Sequence, residues 1–495
     1  MKTNILLIVP VLFPIIMALL TLVIKERFKD RSFRQMYVGA VLVINFVLTL
    51  IAVVTGGSLV VLHLTETLPI YLKVDGLTIL FTMIVSVMWL LAGIFSFEYM
   101  KHEDNNEGYY LFYLLSLGVL IGLGMAGNFM TMYMFYEGMT LLTLPMVLHS
   151  RTKEAISAGL KYLFYSIFGA SMALIAFFFM NIYGSIEFVP GGTLDAAKLA
   201  GHESVMLVVI FLAIVGFGAK AGMFPLHGWL PTAHPVAPAP ASAVLSGVIT
   251  KAGVLAVIRV VFYQAGADFI RGTWVQYAWV VLTLITVFMG SMLAYKEKLL
   301  KKRLAYSSVS QVSYVLFGLS TLTPVGMVGA LMHVVFHSVV KNGLFMSAGA
   351  IIYKTHCTRV DQLKGIGKRM PIVMWCFTIF GLTLVGIPPT SGFISKWNIA
   401  MGSLTSGMPC AWIGPVVLLT SAFLTAGYLL TISIQAFLPG ADFDYSTVEK
   451  CEPNKLMTVP LVILAVAAVV LGIYASPLEA FFSTIAASVM EEDKV

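Results

Sequence analysis

The sequence predicts an all-α integral membrane protein of about fourteen transmembrane helices. Two observations carry that prediction. The chain is 59% hydrophobic and only 11% charged over 495 residues, against about a quarter charged in soluble domains. Apolar stretches of roughly 20 residues, the length a helix needs to cross some 30 Å of hydrocarbon, recur from Ile5 to Ile473, where a membrane barrel would show short alternating segments.

Apolar windows bounded by polar residues or Gly/Pro breaks place spans near 4–24, 37–55, 75–97, 111–127, 129–148, 162–183, 206–225, 240–263, 275–295, 304–320, 325–353, 372–400, 411–437 and 457–475. The first carries only Lys2 ahead of it and no small-residue cleavage site, so it reads as a retained span. With the loop of Lys25, Arg27, Lys29, Arg31 and Arg34 inside, every second loop is expected to be basic, and those of Lys296 to Arg303 and Lys354 to Arg369 obey this. Of the 31 Lys and Arg residues, 20 fall in inner loops, 5 in outer segments and 6 within or at the ends of spans. Both termini are then expected outside the cell membrane, with the tail Glu491-Glu492-Asp493-Lys494-Val495 following soon after the last span and no long amphipathic extension. The whole chain, 1–495, reads as one polytopic domain.

Composition also bounds the chemistry. Cys357, Cys376, Cys410 and Cys451 lack CxxC spacing, which argues against iron–sulfur, zinc or disulfide chemistry, and no cofactor or metal motif appears. The net charge of +7 resides in particular loops, which topology explains better than nucleic-acid binding does.

Charges inside spans are the candidate functional residues. Each costs about 2.5–3.5 kcal/mol at a helix centre on insertion scales, yet Glu137, Lys161, Lys220, Lys251, Lys341 and Lys396 all lie within or close to apolar stretches. Lys161 and Arg259 can equally snorkel to the interface. Lys220, Lys251 and Lys341 cannot do so easily, being flanked by apolar residues on both sides. Glu137 is the one carboxylate of 24 well inside a span, about 12 Å from its outer end at 1.5 Å per residue. It needs a cation or a proton; a static ion pair is the bland alternative to a proton relay. His333, His337 and Lys341 recur every four residues and share one side of the eleventh span, as a conducting row would. A zinc site is disfavoured, since a third ligand and the glutamate of HExxH are missing. Finally, Lys220 precedes Pro225 in GFGAKAGMFPLHGWLP, and Pro388 and Pro389 precede Lys396 in GIPPTSGFISKW. Prolines that interrupt membrane helices beside charges suit cavities and ion sites, although a plain kink is the simpler alternative.

The span with Glu137, the stretch KAGMFPLHGWLPTAHPVAPAPASAVLSGVITKAG from Lys220, LAYSSVSQ from Leu304, HVVFHSVVKNGLFMSAG from His333 and IPPTSGFISKW from Ile387 together resemble the antiporter-like membrane subunits shared by respiratory complex I, Mrp-type sodium/proton antiporters and membrane-bound hydrogenases. The short C-terminus is closest in style to Mrp D-type or hydrogenase-type subunits. The resemblance implies two inverted five-helix repeats, 111–262 and 275–437, with the fourth helix of each broken. It implies that Glu137 and Lys220 form a charged pair, that Lys251 bridges, that His333, His337 and Lys341 connect the centre to an exit, and that Lys396 is the terminal lysine. It also implies other membrane subunits as partners and protons, with Na+ as the alternative, as the moving ions. Two other functions remain open at this point: a self-contained transporter of a small solute and a non-conducting membrane scaffold.

Overall fold

The computed structural model describes residues 2–440, 443–444 and 449–490; the tail 491–495 lies outside them. The described chain is a helical bundle. Its principal helices are α1 (Val9–Val23), α2 (Arg31–Thr55), α3 (Gly76–Tyr99), α4 (Asn106–Gly124), α5 (Phe129–Val147), α6 (Lys153–Tyr183), α7 (Glu203–Ala221), α8 (Ala239–Ala265), α9 (Trp274–Lys296), α10 (Leu300–Ser320), α11 (Pro324–Thr355), α12 (Pro371–Val385), α13 (Ser391–Leu404), α14 (Ile413–Phe437), α15 (Lys455–Ile473) and α16 (Ser476–Met490). Among the described residues, eleven helices are long and apolar enough to cross a membrane. Each predicted span overlaps a helix, with the 372–400 stretch divided between α12 and α13.

Helix starts follow capping chemistry, because the first amides of a helix have no partner within it and no water in a bilayer. Asp30 accepts from Phe33 N at 2.7 Å, Asp75 from Thr78 N at 2.9 Å and Asn128 from Thr131 N at 2.8 Å, capping α2, α3 and α5. Thr152 and Thr323 do the same for α6 and α11. Gly222 and Gly386 stop α7 and α12 in the left-handed region, φ 84° and 91°, where a residue without Cβ is favoured.

Two elements depart from the layout expected from the sequence. Residues 56–74, expected to be a connecting loop, form an antiparallel hairpin, β1 (Ser58–Thr65) with β2 (Leu68–Lys73), in register Ser58 with Lys73 and Thr65 with Leu68. Its β-branched and apolar residues and its short turn are ordinary strand signals, masked by the surrounding hydrophobicity; Ile70 and Leu72 are buried and seat the hairpin on the bundle. The second departure is α16, a further helix after the last predicted span, which returns to pack on α3 and α11.

Burial separates the helices into a rim and a centre. Helices α1 and α2 bury only a third or so of their apolar windows, leaving broad faces for lipid or another subunit, whereas the corresponding window of α8 is wholly interior. α11 is the axis: α3, α8, α10, α12, α13, α15 and α16 all pack on it. The close approach of α8 and α11 needs Gly247, where a Cβ would collide with the Asn342 side chain. That approach brings the lysine of one helix to the histidines of the other.

Candidate functional site

Lys220 is the penultimate residue of α7 and is fully buried. Its ammonium donates to Thr140 Oγ1 at 2.9 Å, Tyr162 OH at 2.8 Å and Ser166 Oγ at 2.9 Å, so all three of its N–H donors are used. The Tyr162 ring lies 4.2 Å from Nζ, a cation–π distance. Chain break and charge are linked here. α7 ends at Ala221, and the Trp229 indole on the returning segment donates to the freed Ala219 carbonyl at 2.8 Å.

Glu137 sits midway along α5, half-buried, and accepts from Tyr133 OH at 3.2 Å. No ion pair joins Glu137 to Lys220 among the described residues. The direct pair implied by resemblance is replaced by a shell of hydroxyls from α5 and α6, because Thr140, one turn further along α5 than Glu137, reaches the ammonium first. Lys161 is half-buried on α6, its Nζ 5.9 Å from the Tyr165 ring centroid; it takes no part in the Lys220 shell.

Lys251 lies on α8 two residues after a π-helical segment, Leu245–Ile249. A π turn widens the helix and leaves a carbonyl available to side chains; the Ser246 carbonyl accepts from both Lys251 Nζ at 2.6 Å and Thr250 Oγ1 at 2.8 Å. Lys251 Nζ also lies 2.7 Å from His337 Nδ1 on α11. The His337 ring stacks on His333 at 5.9 Å, and His333 Nδ1 lies 2.9 Å from Ser395 Oγ on α13. One residue beyond, Lys396 donates to the Leu384 and Val385 carbonyls at 2.5 and 3.1 Å, the free C-terminal end of α12, and its Nζ lies 4.8 Å from the Tyr314 ring, itself stacked on His333. Pro388 and Pro389 sit in the 386–390 gap between α12 and α13, and Pro225 in the segment after α7. Lys341 faces α10, donating to the Leu304 carbonyl at 2.9 Å and to Ser307 Oγ.

Three features were not read from the sequence. His234 is fully buried with neither ring nitrogen hydrogen-bonded, stacked on Phe345 at 4.7 Å; its place between the prolines of LPTAHPVAP was a usable signal. The serines of α10 supply much of the polar lining, and Ser246 Oγ meets Ser308 Oγ at 2.6 Å. Hydroxyls are cheap enough in apolar helices to escape a search for charges. The third feature is an ion pair: Arg259 of α8 donates to both oxygens of Asp75 at 2.6 and 2.9 Å and lies over the rings of Phe188 and Tyr263. It neither snorkels nor joins the row, but ties α8 to the start of α3.

Burial disfavours the charged Asp75 carboxylate, yet Arg259 and the Thr78 bonds hold its carboxyl below the usual range. A carboxyl so depressed contributes stability above its unfolded-state pKa and loses it as pH falls through its folded value. Arg259→Ala is expected to destabilise the protein by about 3 kcal/mol at neutral pH, the cost of stranding one partner of a buried pair. The thermal midpoint of the assembled complex measures it, and the penalty relative to wild type should shrink as pH falls through the range in which Asp75 protonates.

Residues 126–425 match the family described as NADH:quinone oxidoreductase/Mrp antiporter, transmembrane, and residues 65–113 match the N-terminus of chain 5 of NADH-ubiquinone oxidoreductase, complex I. The chain is 31% identical over 425 residues to NADH-quinone oxidoreductase subunit N of Desulforudis audaxviator, with 82% of each covered. It is 30% identical over 430 residues to hydrogenase-4 component B of Escherichia coli, covering 82% of this chain and 62% of that one. A chain in the solved Mrp complex from Dietzia sp. superposes with a TM-score of 0.84 at 21% identity, over 99% of this chain and 98% of that one.

Proposed function

Because this chain belongs to the NADH:quinone oxidoreductase/Mrp antiporter membrane-subunit family, we propose that it translocates protons, or exchanges sodium for protons, as one subunit of a multi-subunit energy-converting membrane complex. In this reading Glu137, Lys220, Lys251, His337, His333, Lys341 and Lys396 are the relay, and its partners are the other membrane subunits of a complex I-like, hydrogenase or Mrp assembly. Any redox step belongs to those partners.

The observation that carries the mechanism is the 2.7 Å contact between Lys251 and His337. With Lys251 as ammonium donating to Nδ1, the neutral ring holds its own proton on Nε2. Passing one proton across the contact and releasing the other from Nε2 toward His333 moves a proton without moving either backbone. His337 Nε2 and His333 Nε2 have no protein partner, so each is free to take part in such a transfer through water. Lys220, in its shell of hydroxyls, is the reservoir on one side of this contact; Lys396, against the end of α12, is the terminal site on the other.

The same reading extends the span count and the symmetry. α5, α10 and the α12–α13 pair are counted as three further spans, giving fourteen. The low hydropathy of α5 and α10 follows from their polar load, Glu137 and three threonines on α5 and the serines and Gln311 on α10, whereas α12 is apolar but too short to cross alone. The inverted repeats are then 111–262 and 275–437, with the breaks after Lys220 and before Lys396 in equivalent fourth helices, and both termini outside.

Glu137→Gln removes charge with almost no change in volume, and transport by the assembled complex in vesicles tests the reading. A fall of about 100-fold or more is expected, the lower end of what removing a positioned proton-transfer group costs. Unchanged proton and sodium fluxes in a fully assembled complex would overturn it. A self-contained solute transporter would instead show flux from the isolated chain.

A further inference from the structure

α16, the helix that follows the last predicted span, brings a carboxylate to the end of the row. α15 reaches the break between α12 and α13, where Gly472 packs so closely that a Cβ would collide with the Pro389 carbonyl oxygen and Ser391 N. The chain turns there into α16, which runs against α11, and the first turn of α16 carries Glu479, half-buried. Glu479 Oε1 accepts from Asn398 Nδ2 of α13 at 3.2 Å, and no lysine or arginine pairs with this carboxylate among the described residues. Asn398 is buried and shares a face of α13 with Ser391 and Ser395, at positions i, i+4 and i+7. Ser395 Oγ lies 2.9 Å from His333 Nδ1 and donates to the Gly392 carbonyl at 3.2 Å. Ser391 Oγ, one turn earlier, is buried with no partner. Lys396 is turned away, toward the end of α12, so the face of α13 that continues the row beyond His333 leads to Glu479.

A carboxylate in the first turn of a helix complements the helix dipole, and that is its simplest role. Two observations ask for more. Asn398 donates to one carboxylate oxygen and leaves the other to take a proton. Asn398 also stands three residues from Ser395, which puts their Cβ atoms about 5–6 Å apart on the helix surface, a gap of the size that bridging water closes. We propose that Glu479 is the acid through which protons leave the row, and that Asn398 is the positioning residue that aims it. The proposal rests on the transport reading given above. His333, having taken a proton on Nε2, gives its Nδ1 proton to Ser395 Oγ as the Ser395 hydroxyl proton passes through water to the open oxygen of Glu479. The ring is left neutral, and the carboxylic acid releases its proton to the outer aqueous phase and returns to a carboxylate.

The test is proton and sodium flux in vesicles, normalised to assembled complex, for Glu479→Gln, Glu479→Asp and Asn398→Ala beside Glu137→Gln. Glutamine keeps the volume of Glu479 and accepts the same Asn398 bond through its amide oxygen, but it takes up no proton. Glu479→Gln is expected to lower flux about 100-fold, the lower end of the range for a positioned proton-transfer group, and Glu479→Asp to recover most of that loss. Asn398→Ala should lower flux in the wild-type chain and cost nothing further in Glu479→Gln, because it acts through the carboxylate. Normal flux in Glu479→Gln beside a large loss in Glu137→Gln would overturn the exit role and leave the transport reading standing, whereas normal flux in both would overturn both. Glu479→Asp as poor as Glu479→Gln, or a Glu479→Gln complex that fails to assemble, would make the carboxylate an anchor of α16 and overturn the proposal. An Asn398→Ala loss that multiplies with that of Glu479→Gln would remove the positioning role.

Discussion

Lys220→Ala is expected to lower ion transport by the assembled complex by about 100-fold or more, a loss in the range for removing a positioned proton-transfer group. The ammonium is fully buried, and its donors go to three neutral hydroxyls. A static structural lysine would have a carboxylate there, as Arg259 has Asp75. A cation held by hydroxyls can give up its proton and keep the same partners, since each hydroxyl can turn from accepting to donating. Tyr162 is also bonded to Thr143 Oγ1 at 2.7 Å and Thr140 Oγ1 donates to the Tyr136 carbonyl at 3.3 Å, so two of the three shell hydroxyls keep a partner when the lysine is gone and the variant should assemble. Combined with Glu137→Gln, the loss should fall well short of the product of the two singles, because groups acting in one transfer sequence are not independent. Proton and sodium flux in vesicles, normalised to assembled complex, measures this. Flux within twofold of wild type would end the relay role of Lys220.

The Lys251 and His337 contact makes the second large prediction. Lys251→Met and His337→Leu should each reduce flux about 100-fold, and the double variant should be no worse than either single; independent contributions would multiply to about 10,000-fold. The prediction depends on the two helices as well as the two side chains. Gly247 sets the α8 to α11 approach, so the variants must retain α8 packing, which thermal stability within a few degrees of wild type would show. A double variant that follows the product of the singles would place Lys251 and His337 in separate steps.

Much of this molecule is readable from its residues. The membrane class follows from hydropathy because a bilayer leaves a helix few alternatives, and the buried charges stand out because each is expensive there. The periodicity of His333, His337 and Lys341 places them on one side of α11, but periodicity says nothing of neighbours. His333 and His337 turn to α13 and α8, and Lys341 to α10. His234 and the α10 serines were legible as residues and not as a lining, since a hydroxyl or a neutral ring costs too little to be conspicuous.

By itself, then, the sequence determined the helical membrane class, the approximate positions of the helices, the family and the identity of the intramembrane charges, all of which depend on local composition and spacing. The tertiary structure decided the rest: that Lys220 is held by Thr140, Tyr162 and Ser166 and not by Glu137, that Arg259 belongs to Asp75, that residues 58–73 pair as a hairpin, and that Lys251 meets His337. Each of these joins residues from separate elements, and in a bundle whose lipid-facing and interior residues are alike apolar, only packing decides which side chains meet.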